Sequence, residues 1–273
     1  MTDRAETAVD YSVPPIVLVA PAMAIGSGYY RPLLEELRHR GWEATALTRR
    51  GFEPGLPRAS RTEDWSYADE IDDVAQAVAA ARAERPDRPV LLLGHSLGGQ
   101  LVAGHESGHP PADGIVTVGA AIPRFRHFAH GGLPLAFMAS VIVPVTTTLF
   151  GHLPKPAFGG PGARTLTREW ARMVLTGQPP FPSDQGIPTD ALIVSLADDH
   201  LAPRAAVDDL ADRLFAPSAV TRWHYEHEEV PAGGSNDHIT WVRSPAPVVD
   251  HLVRWWSTVH GELPTSHRQH APA

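Results

Sequence analysis

The chain has 273 residues, 43% of them apolar and 20% charged, with a formal net charge of −8. That length and balance suit one large α/β domain or two small ones and are enough to bury a sizeable core. The acidic balance and the lack of a basic stripe speak against binding nucleic acid, and the absence of cysteine excludes disulfides, thiolate metal sites and a cysteine nucleophile. Residues Met1 to Asp10 are polar and carry no apolar signal-peptide core, so a cytoplasmic location is the expectation.

Residues Met1 to Pro15 read as a polar tail, and Ile16 to Ala20 as a buried parallel strand. A loop of small residues follows, Pro21-Ala22-Met23 through Gly28. Pro32 near the start, Leu33, Leu34 and Leu37 at helical spacing and Gly41 as the stop predict a helix, with Trp42 to Thr48 the next strand. Arg49-Arg50-Gly51-Phe52 then opens a loop rich in glycine and proline. Asp64 to Glu84 predicts an amphipathic helix with Ile71, Val74, Ala75 and Val78 inward and Glu70, Asp72 and Asp73 on a solvated face.

The next stretch, from Pro89 to Val102, organises the rest. Val90 to Leu93 is apolar and strand-like, Gly94-His95-Ser96-Leu97-Gly98 is a G-x-S-x-G turn, and the residues after it suit a helix. A serine at the apex of a strained strand-to-helix turn crowds both flanking segments, so the residues two before and two after it must lack side chains; both are glycine. Strand, turn and helix in this order are the context in which the motif marks a nucleophile.

Gly114 to Ala121 predicts the following strand. From Ile122 to Pro188 the alternation breaks into a long segment rich in proline and glycine, with helical pieces around Phe137 to Val143 and Glu169 to Val174. A connection that long reads as a lid or inserted cap. Its apolar stretch, Leu133 to Phe150, is interrupted by Pro134, Pro144 and Thr146 to Thr148, and so reads as a lid rather than a transmembrane segment. The pattern resumes with a strand at Ala191 to Leu196, a helix from Pro203, a strand over Val220 to Val230 and a helix over Pro245 to His260, with a loose tail after Gly261. Strands alternating with helices predict a doubly wound parallel sheet.

The run GHSLGG resembles the elbow of the α/β-hydrolases. The P-A-M loop, the R-G turn and the D-D-x-x-A-P run from Asp198 to Pro203 are similar to a group of poorly characterised bacterial serine hydrolases of that superfamily. So are Phe150 to Pro154 and Arg168 to Ala171, and the likeness extends from about Ile16 to Trp256. It implies an α/β-hydrolase fold: a mostly parallel doubly wound sheet built by residues 1–121 and 189–273, with 122–188 as a helical cap.

In that fold the triad runs serine, acid, histidine along the chain. Ser96 is the nucleophile. Asp199, four residues before Pro203, matches the acid position of the resembling family, with Asp198 beside it as the alternative. Among 15 histidines, His238 fills the slot between the last strand and the last helix; His95 lies too near Ser96 to reach back, and His200 projects away. His224 and His227, alternating with Glu226 and Glu228, read as an edge-side strand rather than metal ligands. The oxyanion donors implied are the N–H of Leu97 and of Met23, with Ala22 open as the alternative to Met23.

These readings lead to a serine hydrolase that cleaves apolar carboxylic esters or thioesters through an acyl-enzyme, without cofactor or metal. Acyl transfer by the same triad and a non-catalytic binding role remain the alternatives. The apolar face of Leu133 to Phe150, carrying Leu135, Phe137, Met138, Val141, Ile142 and Val145, is expected to line the acyl pocket, the competing reading being core packing or a homodimer contact.

Overall fold

A computed structural model describes residues 8–155 and 160–261. The tail expected at the start is therefore described only from Ala8 onward, and the one expected after Gly261 lies outside the described residues. In chain order the strands are β1 (Ile16–Ala20), β2 (Glu43–Ala46), β3 (Val90–His95), β4 (Gly114–Val118), β5 (His152–Leu153), β6 (Gly162–Ala163), β7 (Ala191–Leu196) and β8 (Val220–Tyr225). The helices are α1 (Arg31–His39), α2 (Tyr67–Glu84), α3 (Leu97–Gly108), α4 (Leu133–Phe137), α5 (Val143–Phe150), α6 (Arg164–Thr176), α7 (Arg204–Leu214) and α8 (Ala246–His260).

Six strands pair in parallel in the order β2-β1-β3-β4-β7-β8. The central strands are apolar on both faces because helices cover both. Val17 and Val19 of β1, Leu91 and Leu93 of β3 and Leu192 and Val194 of β7 pack with α1 and α8. Their alternates, among them Leu18, Leu92 and Ile193, pack with α2, α3 and α7. This is the expected α/β-hydrolase fold, with helical elements inserted after β4.

Two local expectations need correction. The last strand stops at Tyr225, and His227–Glu229 form a 3₁₀ turn closed by reciprocal capping between Glu226 and Glu229, so His227 and Glu228 are not strand residues. Glu70 is not on a solvated face: it is buried, 2.7 Å from the equally buried Arg49, and accepts a hydrogen bond from the Trp65 indole at 2.8 Å. Burial pushes its carboxyl up despite the guanidinium beside it.

The insertion begins with a nearly continuous helical run. Its prolines do not break it. Pro134 and Pro144 each sit in the first turn of a helical piece, and the π-helical turn Met138–Ile142 just before α5 absorbs the register change at Pro144. The run Ala129–Phe150 is long and apolar enough to cross a bilayer by length and composition, with a mean hydropathy of 1.9. Here it packs as a surface element. Ala139 and Val143 join the core, and Arg168 of α6 donates to the hydroxyls of Thr147 and Thr148. β5 and β6 form a small antiparallel pair behind it, and α6 is fastened to the core where Asp64 accepts from the Thr165 N–H and hydroxyl.

Candidate active site

The turn after β3 places Ser96 in a conformation that side chains rarely adopt, φ 54° and ψ −119°, as the residue before α3. The two glycines are required by contact. A Cβ on Gly94 would lie 2.4 Å from the Gly99 Cα, and one on Gly98 would lie 2.0 Å from the Ala20 carbonyl oxygen of β1. The Ser96 N–H donates to the Val118 carbonyl at 3.0 Å, which ties the elbow to β4.

His238 Nε2 lies 2.9 Å from Ser96 Oγ, and its Nδ1 lies 2.6 Å from Asp199 Oδ2. A carboxylate only accepts, so Nδ1 carries the proton and Nε2 is left to accept from the serine hydroxyl. The other carboxylate oxygen of Asp199 accepts the N–H groups of Leu201 and Ala202, at 2.8 and 2.7 Å. Asp199 is buried, whereas Asp198 is exposed and lies 3.3 Å from His227. The structure thus brings Ser96, His238 and Asp199 together and leaves Asp198 outside; His200 is exposed, as expected.

Several residues that shape this line gave no signal in the sequence. Gly119, at the end of β4, has φ +58°, and a Cβ there would meet Asp199 Oδ2 at 2.9 Å and His238 Nδ1 at 3.3 Å. Asp237 accepts from the N–H groups of Ile239 and Thr240 and from the hydroxyls of Ser235 and Thr240, building the loop that carries His238. Burial works to raise its carboxyl, but these hydrogen bonds outweigh it and hold the group well below the usual carboxylate range.

A buried chain of hydrogen bonds lies on the other side of the histidine. The Ala22 N–H meets the Tyr30 hydroxyl at 2.8 Å, that hydroxyl lies 2.8 Å from His95 Nδ1, and His95 Nε2 lies 2.7 Å from the His238 carbonyl oxygen. A carbonyl can only accept, so Nε2 bears the proton, Nδ1 accepts from Tyr30, and Tyr30 accepts from Ala22. Burial lowers His95 to about 3, with the nearby His238 adding to the effect, so the ring stays neutral. His95 therefore links the loop after β1 to the backbone of His238.

A second serine–histidine contact needs separating from the first. Ser195 Oγ lies 2.7 Å from His224 Nδ1, and His224 Nε2 lies 3.7 Å from Glu226. These two are partners in register on β7 and β8. Ser195 is buried in a regular strand, and neither residue lines the cavity described next.

Ser96 and His238 open into a cavity of about 480 Å³. Met23, Leu97, Phe128, Leu135, Met138 and Trp170 contribute to its walls. Of the six lid residues expected to face the pocket, only Leu135 and Met138 do. Phe137, Val141, Ile142 and Val145 are exposed on the outer side of the helix.

A family model described as serine aminopeptidase, S33, matches residues 12–154. No curated protein matches the chain. Among solved structures, the chain is similar to a soluble variant of monoglyceride lipase from Saccharomyces cerevisiae, with 15% identity and a TM-score of 0.61, covering 93% of this chain and 89% of that one. A lipase-esterase related protein from Clostridium acetobutylicum has 13% identity and a TM-score of 0.56, covering 91% and 97%. A pyrethroid hydrolase from Sphingobium faniae has 18% identity and a TM-score of 0.58, covering 89% and 97%.

Proposed function

The chain belongs to the family described as serine aminopeptidase, S33, and is a serine hydrolase of the α/β-hydrolase superfamily; on that premise we propose that Ser96, His238 and Asp199 are its triad and that it cleaves carboxylic esters or thioesters of apolar acyl groups. The observation that carries the reading is the unbroken line from Asp199 through His238 to a strained Ser96 facing an apolar cavity. His238 removes the hydroxyl proton as Ser96 Oγ attacks the acyl carbon, then returns it to the leaving alcohol or thiol as the acyl-enzyme forms. Water repeats the sequence in reverse and frees the acid. Asp199 holds the imidazole in the required tautomer and stabilises the imidazolium.

The developing oxyanion is assigned to the N–H groups of Leu97, at the start of α3, and Met23. Both Ala22 and Met23 line the cavity, and what supports Met23 over Ala22 is that the Ala22 N–H is engaged by Tyr30. We assign 122–188 as a cap over this cavity and place the chain with the bacterial serine hydrolases that carry the GHSLGG elbow and the D-D-x-x-A-P acid loop.

An ester fits the site better than a peptide N-terminus. An α-ammonium group needs a carboxylate partner in a dry pocket, and the described lining residues include neither Asp nor Glu. The test is kcat/KM over p-nitrophenyl esters from acetyl to dodecanoyl, alongside aminoacyl p-nitroanilides. Each methylene buried between Leu135 and Met138 contributes about 0.8 kcal/mol, or about fourfold in kcat/KM, until the cavity is full. A medium-chain optimum that Met138→Trp shifts to shorter chains is expected. Preference for the aminoacyl substrates, or an acetyl optimum indifferent to Met138→Trp, overturns the substrate assignment.

A further inference from the structure

The helical run over the cavity presents two apolar stripes, each repeating every fourth residue and offset from the other by two positions. Leu135, Ala139, Val143 and Thr147 face inward: Leu135 lines the cavity and the other three are buried. Leu133, Phe137, Val141, Val145 and Leu149 are exposed, Leu133 by 70% and Leu149 by 59%. A helix that is apolar all round is normally covered all round. This one carries no charged residue from Leu133 to Phe150, and only 17% of its most apolar window is buried in the molecule. Leu201, a cavity-lining residue, is itself 62% exposed.

Charge identifies what covers this face. From Gly114 to Arg168 the sequence contains no Asp or Glu but includes Arg124, Arg126, Lys155, Arg164 and Arg168, a net +5 in a chain of −8; Arg164 is paired with Asp64 at 3.0 Å, and the other four cations carry the positive excess. Arg126 is exposed near the start of the helical run and Lys155 beyond its end, while Arg61 donates to the Leu149 carbonyl and Arg168 to the Thr147 and Thr148 hydroxyls. A second copy docked face to face would bring the same positive segment against itself. An anionic bilayer surface complements it: the outward stripe enters the acyl boundary while the surrounding cations meet the headgroups. We propose that the outer face of the run Leu133–Phe150 is a docking surface for an anionic phospholipid bilayer. This surface chemistry is independent of the reaction assigned to the site.

The experiment is flotation of the full chain with vesicles of phosphatidylcholine containing about 30 mol% phosphatidylglycerol, compared with phosphatidylcholine alone. Wild type is expected to float with the anionic vesicles, less with the neutral ones and less at high salt. The pair Val145→Asp and Leu149→Asp, at exposed positions off the cavity, should weaken partition at least about tenfold with an unchanged melting temperature. Arg126→Glu with Lys155→Glu should weaken binding to anionic vesicles about tenfold or more and hardly change binding to neutral ones. This second pair keeps the test open if the first perturbs folding. No flotation of wild type, flotation that survives both pairs, or a solution dimer that the aspartate pair dissolves would each overturn the proposal.

Discussion

Replacing Asp199 by Asn separates the role of a charge from that of shape, because the amide keeps the size of the carboxylate and the structure constrains both of its orientations. In one, the amide oxygen keeps the N–H bonds of Leu201 and Ala202, now 2.8 and 2.7 Å from Asp199 Oδ1, and the NH₂ faces His238 Nδ1. Two donors then oppose each other, and the imidazole relieves the clash by moving its proton to Nε2, where it can no longer accept from Ser96. In the flipped orientation the tautomer survives, but the NH₂ confronts two backbone donors. Each buried donor left unsatisfied costs about 1–3 kcal/mol, so this orientation is disfavoured by about 2–6 kcal/mol. The first orientation therefore dominates, and kcat for a p-nitrophenyl ester should fall about 10⁴-fold with KM little changed. Asp198→Asn removes only an exposed contact to His227 and should stay within about threefold of wild type. Equal losses in the two variants, or a loss below about tenfold for Asp199→Asn, would refute the reasoning.

Tyr30→Phe leaves the buried Ala22 N–H and His95 Nδ1 without their shared partner, and is expected to lower kcat about ten- to a hundredfold with KM nearly constant. A parallel rise in KM, or a loss explained by stability in thermal melts, would reduce Tyr30 to a packing residue. Burial, with His109 stacked against the ring, lowers His105 to about 4 from an ordinary value of 6.5. Between those values the unfolded chain binds a proton that the folded chain does not, so stability falls as pH falls through that window, by about 1.4 kcal/mol per unit from this group. Urea melts across the window should show His105→Gln with a slope shallower by about that amount, and identical slopes would rule out the linkage.

The sequence made the elbow legible because its requirement is local: Gly94 and Gly98 must lack side chains to let β1, β3 and α3 converge on Ser96. Chain order then pointed to Asp199 and His238, since parallel strands present their connecting loops at one edge of the sheet. What stayed hidden depends on partners distant in sequence. Glu70 sits on a polar-looking helix face, and its burial follows from Arg49, in the turn after β2, reaching over to it. Tyr30 and His95 are 65 residues apart, and nothing in either segment announces the bond between them. The lid misled for a different reason. A period of four fits either side of a helix, so a stripe with Phe137, Val141 and Val145 could not be told from the Leu135 stripe until the packing of α6 chose between them.

The central claim is that Ser96, rather than Ser195 with its His224 contact, is the nucleophile. Treating the protein with a fluorophosphonate and mapping the adduct by peptide mass tests it most directly, since Ser195 with His224 and Glu226 provides an internal rival. A single adduct on Ser96, lost in Ser96→Ala and strongly slowed in Asp199→Asn, is the result expected. An adduct on Ser195, or labelling that persists in Ser96→Ala, would contradict the account.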